Sequence, residues 1–216
     1  TGPNAFSTST EDPTIANGQA VNAGTYTVTY TNTTSGCTAS ANTVVTVNAN
    51  PTVSPVNGGP YCSGQTITLT SNGAGGTSYS WSGPNGFTST AANPTIANGQ
   101  TVNAGTYTVV LTNTTSGCTV SGTTTVTVNA SPTVSAANSG PHCAGATLTL
   151  NATGSGGTQY AWTGPNAFTS ALEDPTIANA QTVNSGLYTV VLTNTTSGCT
   201  ATATTTATIN ANPTVS

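Results

Sequence analysis

The sequence predicts an all-β chain of tandem two-sheet sandwiches, one for each 81-residue repeat, and three observations predict it. The first is an internal period: Phe6, Phe87 and Phe168, then Tyr26, Tyr107 and Tyr188, then Cys37, Cys118 and Cys199 recur 81 residues apart without an insertion. The second is alternation of polar and apolar residues in short runs, the signature of half-buried strands. The third is composition. About a quarter of the residues are Thr, and Thr and Val at this density lose side-chain rotamer freedom in a helix.

A period of 81 residues exceeds that of a solenoid repeat, so each copy is expected to fold as its own small domain. Boundaries are placed at Pro51, Pro132 and Pro213, each preceded by a strand that ends in Val or Ile plus Asn-Ala and followed by Thr-Val-Ser. Residues 1–50 then form the C-terminal part of a repeat whose first two strands are missing. Residues 51–131 and 132–212 are complete repeats, and 213–216 begin another. Three whole repeats would need 27 further residues, so the stretch reads as a window cut from a longer array, with its targeting information elsewhere.

Within 51–131, strands are predicted at Thr66–Thr70, at Tyr79–Ser82 around Trp81, at Thr106–Thr112 and at Thr123–Val128. The intervening Gly-Ala-Gly-Gly, Gly-Pro-Asn-Gly and Asn-Gly-Gln stretches are turns, because Gly and Asn accept positive φ and Pro fixes it negative. Ile67, Leu69, Trp81, Ile96, Tyr107, Val109, Val126 and Val128 are the expected core.

Charge narrows the function classes. With no Lys or Arg, four acidic residues and one His, the chain has nothing with which to neutralise phosphates, which excludes nucleic acid as a partner and argues against anionic headgroups. No apolar run approaches the roughly 18 residues of a membrane helix, so no membrane insertion is predicted for this segment. Lys-Asn cross-links are impossible without Lys.

The phrases G-Q-T-I-T-L-T, then Y-S-W, then N-A-G-T-Y-T-V resemble immunoglobulin-like domains. That resemblance implies a Trp between the sheets, here Trp81 and Trp162, and a tyrosine corner at Tyr107 and Tyr188, with Tyr26 at the same place in the first copy. The usual inter-sheet cysteines are absent, Ser71 and Val109 standing nearest to their positions. More closely, Cys-x-Gly-Gln-Thr, W-[ST]-G-P-N-[AG]-F-T-S, AGTYTV and SGC resemble the Ig-like and PKD-like repeats of large secreted cell-surface proteins of Bacteroidota, including gliding-type adhesins. The likeness covers essentially the whole chain and implies a spacer role.

The five cysteines, Cys37, Cys62, Cys118, Cys143 and Cys199, have no CxxC spacing and no metal ligands nearby, and are expected to form disulfides in an oxidising compartment. Pairing inside a repeat would join Cys62 to Cys118 and Cys143 to Cys199. Immunoglobulin topology places those partners at opposite poles, about 20 Å apart, whereas a disulfide tolerates about 7 Å between Cα atoms. Short linkers bring the lower pole of one repeat to the upper pole of the next, which would join Cys62 to Cys199. Both pairings stay open at this point.

No catalytic constellation, cofactor or metal is predicted. His142 stands where the previous repeat has Tyr61, has no matched carboxylate, and reads as a loop residue. Glu11-Asp12 and Glu173-Asp174 are read as solvated turn residues, with a weak calcium site as the alternative, because calcium takes six to eight oxygens and the middle repeat carries Ala92-Asn93 there. Trp81 and Trp162 read as core, with stacking on sugar rings as the alternative. Asn32, Asn113 and Asn194 open N-T-T sequons that read as hairpin loops.

The expected function is therefore non-enzymatic: a structural or adhesive extracellular array, the stalk or filament of a bacterial surface protein, with a carbohydrate-binding module array as the alternative. Expected partners are neighbouring repeats or identical chains, and surface glycans or a host or substrate surface reached through other domains.

Overall fold

The computed structural model describes residues 1–215, and the last residue of the expected segment 213–216 lies outside them. The first 50 residues carry two strands, β1 (Gly24–Thr31) and β2 (Thr38–Val45). The second repeat carries β3 (Val56–Asn57), β4 (Tyr61–Cys62), β5 (Ile67–Thr70), β6 (Ser78–Ser82), β7 (Thr88–Ser89), β8 (Thr95–Ile96), β9 (Gly105–Thr112), β10 (Thr119–Val126) and β11 (Val128–Asn129). The third carries β12 (Thr133–Asn138), β13 (His142–Cys143), β14 (Leu148–Ser155), β15 (Gln159–Gly164), β16 (Phe168–Ser170), β17 (Thr176–Ile177), β18 (Gly186–Thr193), β19 (Thr200–Ala207) and β20 (Ile209–Asn210).

In the second repeat one sheet runs β3-β5-β8 and the other β10-β9-β6-β7, all antiparallel, while β4 pairs with β11 in parallel. The third repeats this order with β12-β14-β17, β16-β15-β18-β19 and the parallel pair β13-β20. Two sheets facing each other, with an early strand crossing to run parallel to the last one, make the immunoglobulin-like sandwich.

The alternation read from the sequence is what fills the space between the sheets. Ile67 and Leu69 on β5 point inward between outward Thr68 and Thr70, and Tyr107, Val109 and Leu111 on β9 are each fully buried. Each such aliphatic side chain stabilises the fold by about 1.5–3 kcal/mol relative to exposure. Trp81 lies opposite Val109 in the β6–β9 register and is 1% exposed. Two separate clusters of buried residues result, one drawn from Tyr61 to Val128 and the other from Leu148 to Ile209.

The predicted strand Thr123–Val128 is longer in the structure and divided. β10 starts at Thr119 as the return arm of a hairpin with β9, and Thr127 separates it from β11, which turns away to join β4. His142, expected in a loop, lies in β13, because the edge of the last strand offers it a partner in Ile209.

Residues 1–50 match residues 82–131 at the 81-residue offset, and their strands are packed differently. Val28 and Tyr30 are 62% and 74% exposed, whereas their counterparts Val109 and Leu111 are fully buried. Val47 and Asn48 match β11 in sequence but form no strand. Among the described residues, no helix is long and apolar enough to cross a membrane; the helical elements are four short 3-10 turns.

Candidate functional site: the junction between repeats

The linker-facing end of the second repeat is built around Cys62. The Tyr61 amide donates to the Thr127 carbonyl at 3.0 Å and the Ser63 amide to Asn129 at 2.8 Å, so β4 is tied to β11 on both sides of the cysteine. The Cys62 amide donates to Gln65 Oε1 at 2.8 Å, and the Ser131 hydroxyl, the last group before Pro132, donates to the Ser63 carbonyl at 3.0 Å.

The third repeat meets this end with the hairpin between β18 and β19. Its Thr-Asn-Thr-Thr-Ser-Gly-Cys sequence closes through Asn194, whose Oδ1 accepts the amides of Thr196 and Ser197 at 3.0 and 3.1 Å. The Gly198 amide donates to the Asn194 carbonyl at 2.8 Å, with Gly198 at φ +74° where a Cβ would be strained. Asn194 Nδ2 donates to the Gly156 carbonyl at 2.8 Å, and Gly156 lies against Pro132 at the start of the repeat. The hairpin thus sits at the pole nearest the linker.

Cys62 and Cys199 form a disulfide across this junction, with 5.6 Å between their Cα atoms and 137 residues of chain between them. Of the two pairings left open by the sequence, this is the one between repeats. Cys199 is 1% exposed. Cys37, Cys118 and Cys143 carry free thiols among the described residues, Cys37 and Cys143 exposed and Cys118 half-buried.

The remaining sequence candidates have structural partners. Trp162 is buried and its Nε1 donates to the Glu173 carbonyl at 3.0 Å, while Trp81 Nε1 is buried without a partner among the described residues. With both indoles 1% exposed, neither face is open to a sugar, which removes the stacking alternative for these two residues. Tyr26, Tyr107 and Tyr188 donate from their hydroxyls to the carbonyls of Asn22, Asn103 and Asn184 at 2.7, 2.8 and 2.7 Å. Tyr107 and Tyr188 are fully buried and Tyr26 half-buried. Burial raises the phenols of Tyr107 and Tyr188 above their ordinary value.

The Gly-Pro-Asn-[Ala/Gly]-Phe motif closes over the same tyrosine. Phe87 meets Tyr107 edge-on at 5.4 Å, and a Cβ on Gly83 would stand 2.3 Å from the Tyr107 ring. The third repeat has the same contacts from Phe168 and Gly164 onto Tyr188. This packing role of Phe87 and Phe168 was missed in the sequence, although the fixed distance from Phe to Tyr in all three copies was a signal for it.

Asp174 accepts the Ala152 amide at 2.9 Å and Glu173 accepts the Tyr160 hydroxyl at 2.8 Å. That hydrogen bond, followed by burial and the charges of Glu173 and Asp174, raises the Tyr160 phenol. Among the described residues no group of three or more His, Cys, Asp or Glu is gathered to hold a metal ion. His142 Nε2 shares a 2.7 Å hydrogen bond with the Ser139 hydroxyl, which also accepts the Thr149 amide. In the second repeat the Tyr61 hydroxyl alone accepts the equivalent Thr68 amide, at 3.0 Å. The Ser-His pair therefore replaces one tyrosine in a structural role. The Asn113 and Asn194 amides donate to the carbonyls of Gly75 and Gly156, a contact that a glycan on Nδ2 would displace.

No protein-family profile matches the chain, and no curated protein matches it. Among solved structures, it is similar to a three-Ig structure of titin domains at 15% identity, over 90% of this chain and 76% of that one, with a TM-score of 0.49. It is similar to Drosophila OTK extracellular domains 3–5 at 14% identity, over 90% and 72%, with a TM-score of 0.46. Three N-terminal domains of the bacteriophage RB49 highly immunogenic outer capsid protein match at 20% identity, over 74% of this chain and 59% of that one, with a TM-score of 0.34. The chain thus spans less than two thirds of the phage structure. Its immunoglobulin-like character is read from its own strand order.

Proposed function

We propose that the chain is part of a secreted array of immunoglobulin-like domains that serves as a stalk or filament of a bacterial surface protein, with Pro51, Pro132 and Pro213 as domain boundaries. The observation that carries this reading is the Cys62–Cys199 bond. Disulfides form and persist in oxidising compartments, and this one joins neighbouring repeats through two cysteines that lie outside both cores. What it restricts is the angle between them. Linked immunoglobulin domains are by default free to move when their interface is small, and a second covalent tether beside the peptide chain removes that freedom.

The near absence of charge and the separate cores fit the same role. A surface of hydroxyls and amides offers no steering field, so recognition of a glycan, host or substrate surface belongs to other domains, and contacts of this segment are with its neighbours or with identical chains. The sugar-binding alternative has no exposed Trp to support it.

The reading is tested by small-angle scattering and electron microscopy of the chain and its Cys199→Ser variant. A narrow distribution of angles between the second and third repeats that broadens in the variant supports a stiff stalk. Equal distributions in the two would remove the mechanical role.

A further inference from the structure

The junction bond has a direction. The cysteine at the end of one repeat, Cys62, reaches forward to the hairpin cysteine of the following repeat, Cys199, 137 residues later. Moved along by the 81-residue period, Cys143 is the next forward-reaching cysteine, and Cys37 and Cys118 are hairpin cysteines of the receiving kind.

Their backbone settings match those of the bonded pair, with Ala146 standing where Gln65 accepts the Cys62 amide. Around Cys143 the His142 amide donates to Thr208 at 3.0 Å and the Ala144 amide to Asn210 at 2.8 Å, matching the Tyr61 and Ser63 bonds at Cys62. Asn212 Nδ2 donates to the Ala144 carbonyl at 3.0 Å, where Ser131 serves the second repeat. At the receiving side the Asn32 hairpin is closed as that of Asn194 is: the Thr34 and Ser35 amides donate to Asn32 Oδ1 at 3.0 Å, and Gly36 donates to the Asn32 carbonyl at 2.8 Å. Cys143 and Cys37 are exposed, whereas Cys118 is half-buried.

From the bonded pair and these two matching thiols we propose that Cys143 is a covalent coupling site for the hairpin cysteine of a further repeat of this kind, and that in the 216-residue chain it takes Cys37 of a second copy. This extends the stalk reading and rests on it: each junction would carry the same staple, and copies would join head to tail. The bond forms by thiol–disulfide exchange with a small disulfide such as oxidised glutathione. The Cys143 thiolate attacks the disulfide and releases one thiol, and the Cys37 thiolate then displaces the second. Two protein thiols are oxidised, the one disulfide is reduced to two thiols, and both protons are accounted for.

The test incubates equal amounts of 15N-labelled and unlabelled 216-residue chain in a glutathione redox buffer, followed by alkylation at low pH and non-reducing electrophoresis. Linked peptides are mapped after digestion with thermolysin, because the chain offers trypsin no Lys or Arg. The expected result is a ladder of covalent oligomers that collapses on reduction and contains heavy–light pairs of the Cys143 and Cys37 peptides. Cys143→Ser should leave monomer alone, with the Cys62–Cys199 peptide pair intact, and Cys118→Ser should leave the ladder unchanged.

The coupling is overturned if Cys143 remains an alkylatable thiol, links mainly to Cys118, or pairs with Cys37 only within one chain. An absent ladder beside an intact Cys62–Cys199 pair sinks the coupling but not the stalk. Loss of the Cys62–Cys199 pair itself sinks the stalk reading.

Discussion

The Tyr107 hydroxyl donates to the carbonyl of Asn103 at 2.8 Å, and Asn103 in turn uses its Oδ1 to accept the Gln100 amide at 2.8 Å. One asparagine thus closes the 3-10 turn Thr101–Asn103 with its side chain and anchors the ring of the next strand with its backbone. Replacing Tyr107 by Phe keeps the packing against Phe87 and Gly83 and removes only this bond. We expect Tyr107→Phe to lower the stability of the second repeat by about 1 kcal/mol, measured by urea denaturation, and Trp81→Ala to lower it by about 3–5 kcal/mol.

The Gly83 contact gives a sharper steric prediction. A methyl group there would enter the Tyr107 ring, and the ring is held by its hydroxyl and by Phe87, so it has little room to retreat. Gly83→Ala should cost about 1–3 kcal/mol by overpacking. The same denaturation measurement checks it, and Gly86→Ala is a poor control because Gly86 has φ +69°.

Stability should depend on alkaline pH in one sense only. Burial raises the folded-state phenols of Tyr107 and Tyr188 above 10.0, so the protonated form is favoured in the fold. The stabilisation is complete below the unfolded value, about pH 10, and is lost as pH rises through the folded value. The urea midpoint should hold level up to about pH 10 and fall above it, with a shallower fall in the doubly substituted Tyr107→Phe, Tyr188→Phe chain.

Trp81 and Trp162 differ by one hydrogen bond, and the cause lies in a neighbouring turn. In the third repeat Glu173 is fixed by the Tyr160 hydroxyl and offers its carbonyl to Trp162, whereas the second repeat has Ala92 and leaves the Trp81 indole unpaired. Ala92→Glu should let the turn be held by Tyr79 and raise the stability of that repeat by about 1 kcal/mol. The check is the denaturation midpoint together with slower hydrogen exchange of the Trp81 indole proton.

Exposure of Val28, Tyr30 and Val44 predicts where the chain opens first. In the 216-residue chain the amides of β1 and β2 should exchange faster than those of β9 and β10, because the apolar side chains of β9 are buried under a second sheet whereas Val28 and Tyr30 on β1 are exposed. Hydrogen exchange read by mass spectrometry separates the two.

Much of this was legible in the sequence because neutral, β-branched strands leave the alternation uncluttered. The runs around Ile67, Trp81 and Tyr107 announced β5, β6 and β9 within a residue or two. β11 was not separable from β10, because Thr123–Val128 alternates straight through the point at which the strand changes partners. Leu111 and Tyr61 were missing from the expected core for a related reason. Leu111 closes an apolar Val-Val-Leu run in which period 2 does not say which residues face in, and Tyr61 is buried by a parallel pairing that no local pattern encodes. The cysteine pairing stayed open because the poles of the cysteines rested on the immunoglobulin resemblance alone, while the 81-residue offset allows either pairing. Asn194 was read as opening a hairpin loop, but its part in closing that loop was not, although an Asx turn and a positive-φ Gly fit the spacing of the threefold Asn-Thr-Thr-Ser-Gly-Cys phrase.

A stapled array depends on which cysteine Cys62 holds. Thermolysin peptides of the alkylated, unreduced chain, taken before any incubation in redox buffer, should contain Cys62 bonded to Cys199, with Cys37, Cys118 and Cys143 recovered alkylated. Recovery of Cys62 with Cys118, and of Cys143 with Cys199, would place every bond inside a repeat and contradict the stapled array.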